Sequence, residues 1–210
     1  MVNTMNLILL HGLGQSAAAW DNTIDHLPES ISPVRPELSK LAKGDYNKLY
    51  MAFCDYCNGF DMPLDLCGLS LGAVLALNYA VDFPEKVRSA ILIAGQYKVP
   101  KALMKFQGLI FRLMPKKTFS DMGFDKSDFI ALNGSMAGLD FTDKMKNMTA
   151  DVLVAVGERD KPNAKAANEM SGLLDCSLEV IPNSGHEVNV DNPKALAEMI
   201  AAFYERSGLI

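Results

Sequence analysis

A serine between two glycines is the feature of this sequence with the clearest chemical meaning. Ser70 lies at the centre of Gly68-Leu69-Ser70-Leu71-Gly72, which follows an apolar run and precedes residues that favour a helix. A serine on a sharp turn between a strand and a helix exposes its hydroxyl beside the first amides of the helix, and such a turn requires small neighbours. The pattern therefore predicts that Ser70 is a nucleophile.

A histidine and a carboxylate that could activate this serine follow later strands of the chain. His186 lies in the loop after the last predicted strand, whereas His11 belongs to a glycine loop and His26 lies near a helix end. A serine hydroxyl needs a base to accept its proton, and the base needs an acid to orient it. Asp160 and Glu158 both follow the preceding predicted strand. We therefore predict that His186 is the base and Asp160 the acid, with Glu158 as the alternative acid.

Two backbone amides are candidates for stabilising a negative oxygen during acyl transfer. One is the amide of Leu71, the residue that follows the serine. The other is the amide of Leu13, which lies in a glycine-containing loop after the first predicted strand. Donors of this kind are each worth a factor of about 10² to 10³ in kcat. The sequence thus predicts an oxyanion site made by Leu13 and Leu71.

The elements that must position these residues alternate between strands and helices. This alternation predicts an α/β fold with a mostly parallel central sheet and helices on both faces, in which active sites form beyond the carboxyl ends of the strands. Residues 97–147 interrupt the alternation with helical patterns rich in Met and Phe. We therefore expect a core formed by residues 1–96 and 148–210 and a helical lid inserted at 97–147.

The predicted lid differs from the core in charge. It contains nine basic and five acidic residues, a net charge of +4, which leaves −9 for the remainder of the chain. Helical spacing places Leu103, Phe106, Ile110 and Leu113 on an apolar face. The basic residues that keep the same period on another side are Lys101, Lys105, Arg112 and Lys116. They indicate either a solvated basic face or, as the sharper hypothesis, a lid that attracts an anionic substrate.

Methionines in the lid suit an adaptable acyl pocket, although each is also explained as core filler. The four candidates are Met104, Met114, Met122 and Met136. They are a reason to expect a small-molecule acyl substrate.

Composition excludes several classes of function. A chain of 210 residues with 49% hydrophobic residues and a net charge of −5 indicates a single globular domain without nucleic acid as a partner. No apolar run is long enough to cross a bilayer, and the start lacks the charged region of a secretory signal, so we expect a cytoplasmic protein. The three histidines show no metal-ligand spacing, and neither a metal nor a cofactor is expected. The oligomeric state is not indicated.

Several motifs, taken together, carry a resemblance to a known family. They are HGLG with Trp20 downstream, GLSLG followed by ALNYAVDFPEKV and ILIAG, then VGERD and a late GHE. This set resembles the α/β-hydrolase fold and is similar to its lidded branch of small serine esterases, lactonases and thioesterases. The resemblance implies the same roles for Ser70, His186, Asp160, Leu13 and Leu71, in the chain order Ser, Asp, His typical of that fold. The sequence departs from the family in one respect: only five residues precede the first predicted strand, so we expect the usual N-terminal hairpin to be missing.

The resulting expectation is a serine hydrolase that cleaves a small carboxylic ester, lactone or thioester through an acyl-enzyme on Ser70. The same fold also supports acyltransferase, lyase or perhydrolase chemistry, or a non-catalytic binding protein. A more remote alternative is a Rossmann NAD-dependent oxidoreductase, because Gly12, Gly14 and Ala17 fit a dinucleotide fingerprint and Glu37 lies where a ribose-binding acid would fall.

A pair of cysteines offers a separate redox interpretation. Cys54 and Cys57 form a C-x-x-C pattern, but they lie in the middle of a predicted helix rather than at a helix start. We therefore expect both to pack in the core. The four cysteines of the chain form no disulfide framework.

Overall fold

A parallel sheet of six strands forms the centre of the molecule. The computed structural model describes residues 5–210, apart from the side chains of residues 103 and 121. Its strands are β1 (Met5–Leu10), β2 (Ile31–Val34), β3 (Leu64–Leu69), β4 (Val87–Ile93), β5 (Asp151–Gly157) and β6 (Ser177–Ile181). They lie in the order β2-β1-β3-β4-β5-β6, and all five neighbouring pairs are parallel. The prediction about an N-terminal hairpin concerns residues before Met5, which lie outside the described range.

Helices cover both faces of this sheet, so the predicted α/β fold is confirmed. In chain order they are α1 (Asp21–Ile24), α2 (Leu38–Leu41), α3 (Tyr46–Cys57), α4 (Leu71–Asp82), α5 (Lys101–Leu113), α6 (Lys116–Asp121), α7 (Lys126–Ser135), α8 (Lys161–Leu174), α9 (Val188–Asp191) and α10 (Pro193–Arg206). Residues 5–210 contain no helix with both the length and the apolar composition that crossing a membrane requires.

Successive residues of β3 show how the two faces of the sheet are buried. Leu64 and Leu66 contribute to the core beneath α3, α4 and α8, whereas Cys67 and Leu69 contribute to the core beneath α1 and α10. All six residues of the strand are buried. Strands covered on both faces consist of nearly continuous apolar residues, which is why the sequence pattern identified this region correctly.

The strand order predicts where the active site lies. From β1 the chain moves outward to β2 on one side, whereas every later strand is added on the other side, beginning with β3. The switch point therefore lies between β1 and β3, where a crevice opens beyond the carboxyl ends of the strands. The loop after β1 contains Leu13, and the turn after β3 contains Ser70.

Residues 97–147, called the insert below, lie between β4 and β5 and contain α5, α6 and α7. An aromatic cluster holds these helices together: Phe129 has ring centroids 5.1 Å from Phe111, 5.0 Å from Phe119 and 5.6 Å from Phe124. An antiparallel bridge between Lys98 and Asp140 joins the two ends of the insert.

Helix α5 has an apolar face, as its spacing predicts, but that face points outward. Phe106, Ile110 and Leu113 are 62%, 42% and 80% exposed. The side chain of Leu103, the fourth residue of the predicted face, lies outside the described part of the structure. The helix is instead held to the protein by Met104, which is buried, and by Phe111.

The cysteine pair lies within α3, as the sequence predicts. Cys54 and Cys57 are both free, and Cys57 is fully buried. Burial raises the pKa of the Cys57 thiol to about 12, which keeps it protonated near neutral pH. This environment matches core packing rather than thiol chemistry.

Candidate active site

Ser70 occupies a strained turn between β3 and α4. Its backbone has φ of 54° and ψ of −110°, a left-handed conformation that non-glycine residues rarely adopt. The turn is held because the Ser70 amide donates to the Ile93 carbonyl over 2.9 Å. A Cβ atom on Gly68 would lie 2.2 Å from the Gly72 carbonyl oxygen, and one on Gly72 would lie 2.1 Å from the Leu10 oxygen. Both glycines of the motif are therefore sterically required.

Asp160 and His186, predicted as acid and base, are in direct contact. The His186 Nδ1 lies 2.8 Å from the Asp160 Oδ2, so this ring nitrogen donates to the carboxylate. The Asp160 side chain is 3% exposed, whereas that of His186 is 44% exposed. Burial alone would raise the pKa of Asp160, but hydrogen bonds from His186 and Asn163 outweigh it and lower that pKa below its usual range. The carboxylate therefore stays ionised beside the imidazole.

Glu158, the alternative acid, has a different contact. Its side chain is exposed, and its Oε2 accepts a hydrogen bond from the Asn183 amide over 2.8 Å. Asn183 has φ of 56° and begins the turn that carries His186. Glu158 thus fixes the shape of this turn but does not contact the imidazole ring.

Close backbone packing joins the loops after β5 and β6. A Cβ atom on Gly157 would lie 2.0 Å from the Gly185 carbonyl oxygen. The Arg159 amide donates to the Ser184 carbonyl over 2.8 Å, and the Gly185 amide donates to the Asp191 Oδ2 over 2.6 Å. The two loops that carry Asp160 and His186 are therefore held against each other before any substrate arrives.

Two amide side chains that the sequence reasoning missed hold Asp160, the predicted acid, in place. The Asn163 Nδ2 lies 2.9 Å from both oxygens of Asp160, and its Oδ1 accepts from the Gln96 Nε2 over 2.7 Å. Gln96 follows β4 at the carboxyl edge of the sheet, and Asn163 is the third residue of α8. The sequence offered one indication of these two residues, namely their position at the end of a strand and the start of a helix. Polar residues are common at such positions, so this indication did not single them out.

The loop after β1 is fixed by a second histidine. The His11 Nδ1 donates to the Gly12 carbonyl over 2.9 Å, and its Nε2 accepts from the Leu38 amide over 3.1 Å. Gln15 adds three bonds. Its Oε1 accepts from the Gly12 amide over 3.1 Å and from the Asn189 Nδ2 over 3.3 Å, and its Nε2 donates to the Asn189 Oδ1 over 3.1 Å. Because Asn189 lies in α9, just after His186, the loop that carries Leu13 is connected to the loop that carries His186.

Glu37 completes the environment of His11 and explains the dinucleotide-like pattern in another way. Its carboxylate lies 3.2 Å from the His11 Nε2 and accepts from the Ala17 amide over 3.0 Å. Burial lowers the pKa of His11 despite this nearby carboxylate. Glu37, to which the Rossmann alternative assigns ribose binding, therefore stabilises the loop after β1 instead.

A cavity of about 340 Å³ brings the predicted residues together. Ser70, His186, Asp160, Leu13 and Leu71 all line it. Leu71 is the first residue of α4, so its amide has no acceptor within the helix and is free to bind a ligand atom.

The insert supplies the opposite wall of this cavity. Met104 and Gln107 come from α5, Asn133 comes from α7, and Met136 follows it. Two of the four methionines predicted for an acyl pocket are thus present, whereas Met114 and Met122 are not among the described lining residues. Asn133 is 4% exposed, and its Nδ2 has no hydrogen-bond partner among the described residues. A buried amide without a partner is costly unless a ligand satisfies it.

The basic residues of the insert do not reach this cavity. No lysine or arginine is among its described lining residues. Lys101, Lys105 and Arg112 instead line a separate groove between α5 and α7 on the outer side of the insert.

Comparisons with known proteins identify the family of the chain. The model of the alpha/beta hydrolase family matches residues 7–199. Among curated proteins, the chain is 22% identical to the alpha/beta hydrolase domain-containing protein VTE7 of Arabidopsis thaliana, over 94% of this chain and 73% of that protein. An uncharacterized protein of Mycobacterium tuberculosis is 24% identical over 51% of this chain and 32% of its own length.

Solved structures share the fold at low sequence identity. MenH from S. aureus superimposes with a TM-score of 0.82 at 15% identity, covering 97% of this chain and 94% of that one. A carboxylesterase structure from the Thaumarchaeon Nitrososphaera gargenis also gives 0.82, at 17% identity, with coverage of 99% and 92%.

Proposed function

The chain belongs to the alpha/beta hydrolase family, and from this premise we propose that it is a serine hydrolase acting on a small carboxylic ester, lactone or thioester. The observation that carries the proposal is the hydrogen bond of 2.8 Å between His186 and Asp160, at a cavity that Ser70 also lines. The strained backbone of Ser70 adds support, because strain of this kind is characteristic of nucleophile turns.

In this proposal Ser70 attacks the carbonyl carbon of the substrate while His186 takes the hydroxyl proton. The amides of Leu13 and Leu71 donate to the oxygen that becomes negative. His186 then gives the proton to the leaving group, and the same base activates the water that hydrolyses the acyl-enzyme. Asp160 holds the imidazole through Nδ1 and stabilises its positive charge. Glu158 takes no part in these steps and keeps the turn of His186 in shape.

The cavity wall suggests the kind of acyl group. Val74, Val99, Met104 and Met136 provide apolar surface, and Asn133 provides a buried amide without a partner. We therefore propose a largely apolar acyl group that presents a hydrogen-bond acceptor, such as a keto or amide oxygen, near Asn133. Asn133→Leu should then lower kcat/KM for esters with such an acceptor and leave unfunctionalised esters unchanged; equal effects on both would contradict this role.

The insert is proposed as a lid, because it forms one wall of the cavity while the core forms the other. The predicted attraction of an anionic substrate by its lysines stays a prediction, since the basic residues lie outside the cavity. The carboxylesterase of N. gargenis, a structural neighbour, makes simple esters the reasonable first substrates.

Labelling with a fluorophosphonate probe tests the proposal directly. The probe should modify wild type at Ser70, identified by mass spectrometry of the peptide, and leave Ser70→Ala unmodified. Wild type should also turn over short p-nitrophenyl esters. A folded wild-type protein that neither reacts with the probe nor hydrolyses any ester would overturn the proposal, while the fold would stand.

A further inference from the structure

The outer face of α5 is an apolar stripe without a partner in the described chain. Phe106, Leu109, Ile110 and Leu113 are 62%, 55%, 42% and 80% exposed. Their spacing of three, four and seven residues places all four on one side of the helix. Exposed apolar residues are ordinary when scattered, but a continuous stripe of four large side chains marks an interaction surface.

Basic residues accompany this stripe. Residues 101–117 contain five lysine and arginine residues and no aspartate or glutamate. Lys101, Lys105 and Arg112 are exposed and line the groove beside the stripe. Helical geometry places these three on one flank of the apolar face, between it and the side of α5 that packs on α7. The surface is thus apolar along its centre and cationic along its edge.

The distribution of charge along the chain determines which side of the protein faces a negatively charged surface. The insert carries +4, whereas the remainder carries −9. A negatively charged surface therefore attracts the insert and repels the rest of the molecule, so the protein approaches with α5 foremost. An acidic partner helix or a second copy would have to match the stripe in shape, but a fluid lipid surface accepts it without such a match.

We propose that α5 docks on an anionic lipid bilayer, with Phe106, Leu109, Ile110 and Leu113 inserted at the level of the headgroups and the basic flank against lipid phosphates. A basic amphipathic helix with large apolar residues on one face has the properties that this binding mode requires. The helix lies on the membrane surface and does not span it.

The position of α5 connects docking with the cavity. Met104 and Gln107, on the inner side of the same helix, line the cavity that contains Ser70. A bilayer at the outer side of α5 therefore lies against the element that covers the site, and acyl substrates dissolved in the lipid are brought close to the helix that forms one wall of the cavity. Docking itself does not depend on the proposed catalytic activity.

Vesicle sedimentation with matched variants tests the proposal. Wild type should sediment with vesicles of phosphatidylcholine and phosphatidylglycerol, and less with phosphatidylcholine alone or at high salt. Leu113→Asp should weaken binding by about ten- to a hundredfold. Leu173→Asp, the same change at an exposed leucine near the end of α8, should bind like wild type. Each of Lys101→Gln, Lys105→Gln and Arg112→Gln should reduce binding to the anionic vesicles by about fivefold.

The outcomes separate docking from catalysis and from other occupants. Ser70→Ala should bind vesicles like wild type, so loss of hydrolysis does not affect the result. The proposal is overturned if wild type binds neither kind of vesicle, or if Leu173→Asp weakens binding as much as Leu113→Asp. It is also overturned if light scattering shows a wild-type dimer that Leu113→Asp dissociates while vesicle binding is absent, because the stripe then belongs to a second copy.

Discussion

The molecule contains two histidine–carboxylate pairs that are similar in composition and opposite in environment. His11 directly follows β1 and meets Glu37, which follows β2, whereas His186 and Asp160 lie in the loops after β6 and β5. In the first pair the histidine is buried and the carboxylate is partly exposed; in the second pair the carboxylate is buried and the histidine is 44% exposed.

This reversal decides which histidine is able to act as a base. Both ring nitrogens of His11 are engaged, Nδ1 with the Gly12 carbonyl and Nε2 with the Leu38 amide. His186 uses Nδ1 for Asp160 and faces the cavity of Ser70. A histidine next to a carboxylate is therefore not sufficient for catalysis; one nitrogen must remain available to the substrate. The first pair is suited to structure and the second to chemistry.

The strongest test of this contrast exchanges each histidine for glutamine. His186→Gln should reduce kcat by about 10⁴- to 10⁶-fold, because the base is lost. His11→Gln should reduce kcat by less than about a hundredfold, because it affects only the loop that carries one oxyanion donor. Steady-state hydrolysis of a p-nitrophenyl ester measures both. Similar losses in the two variants would mean that His11 also takes part in the reaction.

The two candidate acids provide the next test. Asp160→Asn should lower kcat by about 10⁴-fold, because the amide no longer favours the imidazole tautomer and charge that the reaction needs. Glu158→Gln should stay within a few-fold of wild type, because its carboxylate contacts the Asn183 amide and not the ring. The reverse ranking in the same ester assay would show that the acid assignment is wrong.

Substitution of the two histidines should affect stability in the opposite order to activity, with the larger loss of unfolding free energy for His11. His11→Ala leaves the Leu38 amide and the Gly12 carbonyl without their partner in a buried site, so the free energy of unfolding should fall by about 2–5 kcal/mol. His186→Ala should change it by less than about 1 kcal/mol, since the ring is partly exposed and Asn163 still donates to Asp160. Urea denaturation followed by circular dichroism gives both values. A larger loss for His186→Ala would remove the distinction.

The smallest expected effect is a difference in pH dependence. Burial lowers the pKa of His11 from its ordinary 6.5, so the unfolded chain binds a proton at a higher pH than the folded protein. Its contribution to stability is complete above 6.5 and is lost as the pH falls from there toward the folded pKa. The contribution of Asp160, whose pKa is lowered from 3.8, is lost only below that value.

Between about pH 7.5 and pH 5.5, wild type should therefore lose more unfolding free energy than His11→Gln, which does not titrate. Urea denaturation at the two pH values measures the difference. Equal losses would show that His11 has the same proton affinity in the folded and unfolded states.

Local sequence determined much of this protein. Gly68, Ser70 and Gly72, with the apolar run before them and the helix-forming residues after them, predict a strand–turn–helix unit, because the turn requires small residues at fixed spacing. Continuous apolar runs such as Val87–Ile93 identify buried parallel strands in the same way. The chain order of the serine, aspartate and histidine was visible for the same reason, since they follow three recognisable strands, β3, β5 and β6.

The tertiary structure alone decided which of several similar residues meet. The sequence favoured Asp160 over Glu158 but left both as candidates, because both follow β5. The packing of the two loops, with Gly157 against Gly185, brings Asp160 and not Glu158 beside His186. The hydrogen bonds of Asn163 with Gln96, and of Gln15 with Asn189, join residues that are far apart in the chain. The outward direction of the apolar face of α5 was equally hidden: periodicity shows that a face exists, but what lies against it depends on how the whole chain folds.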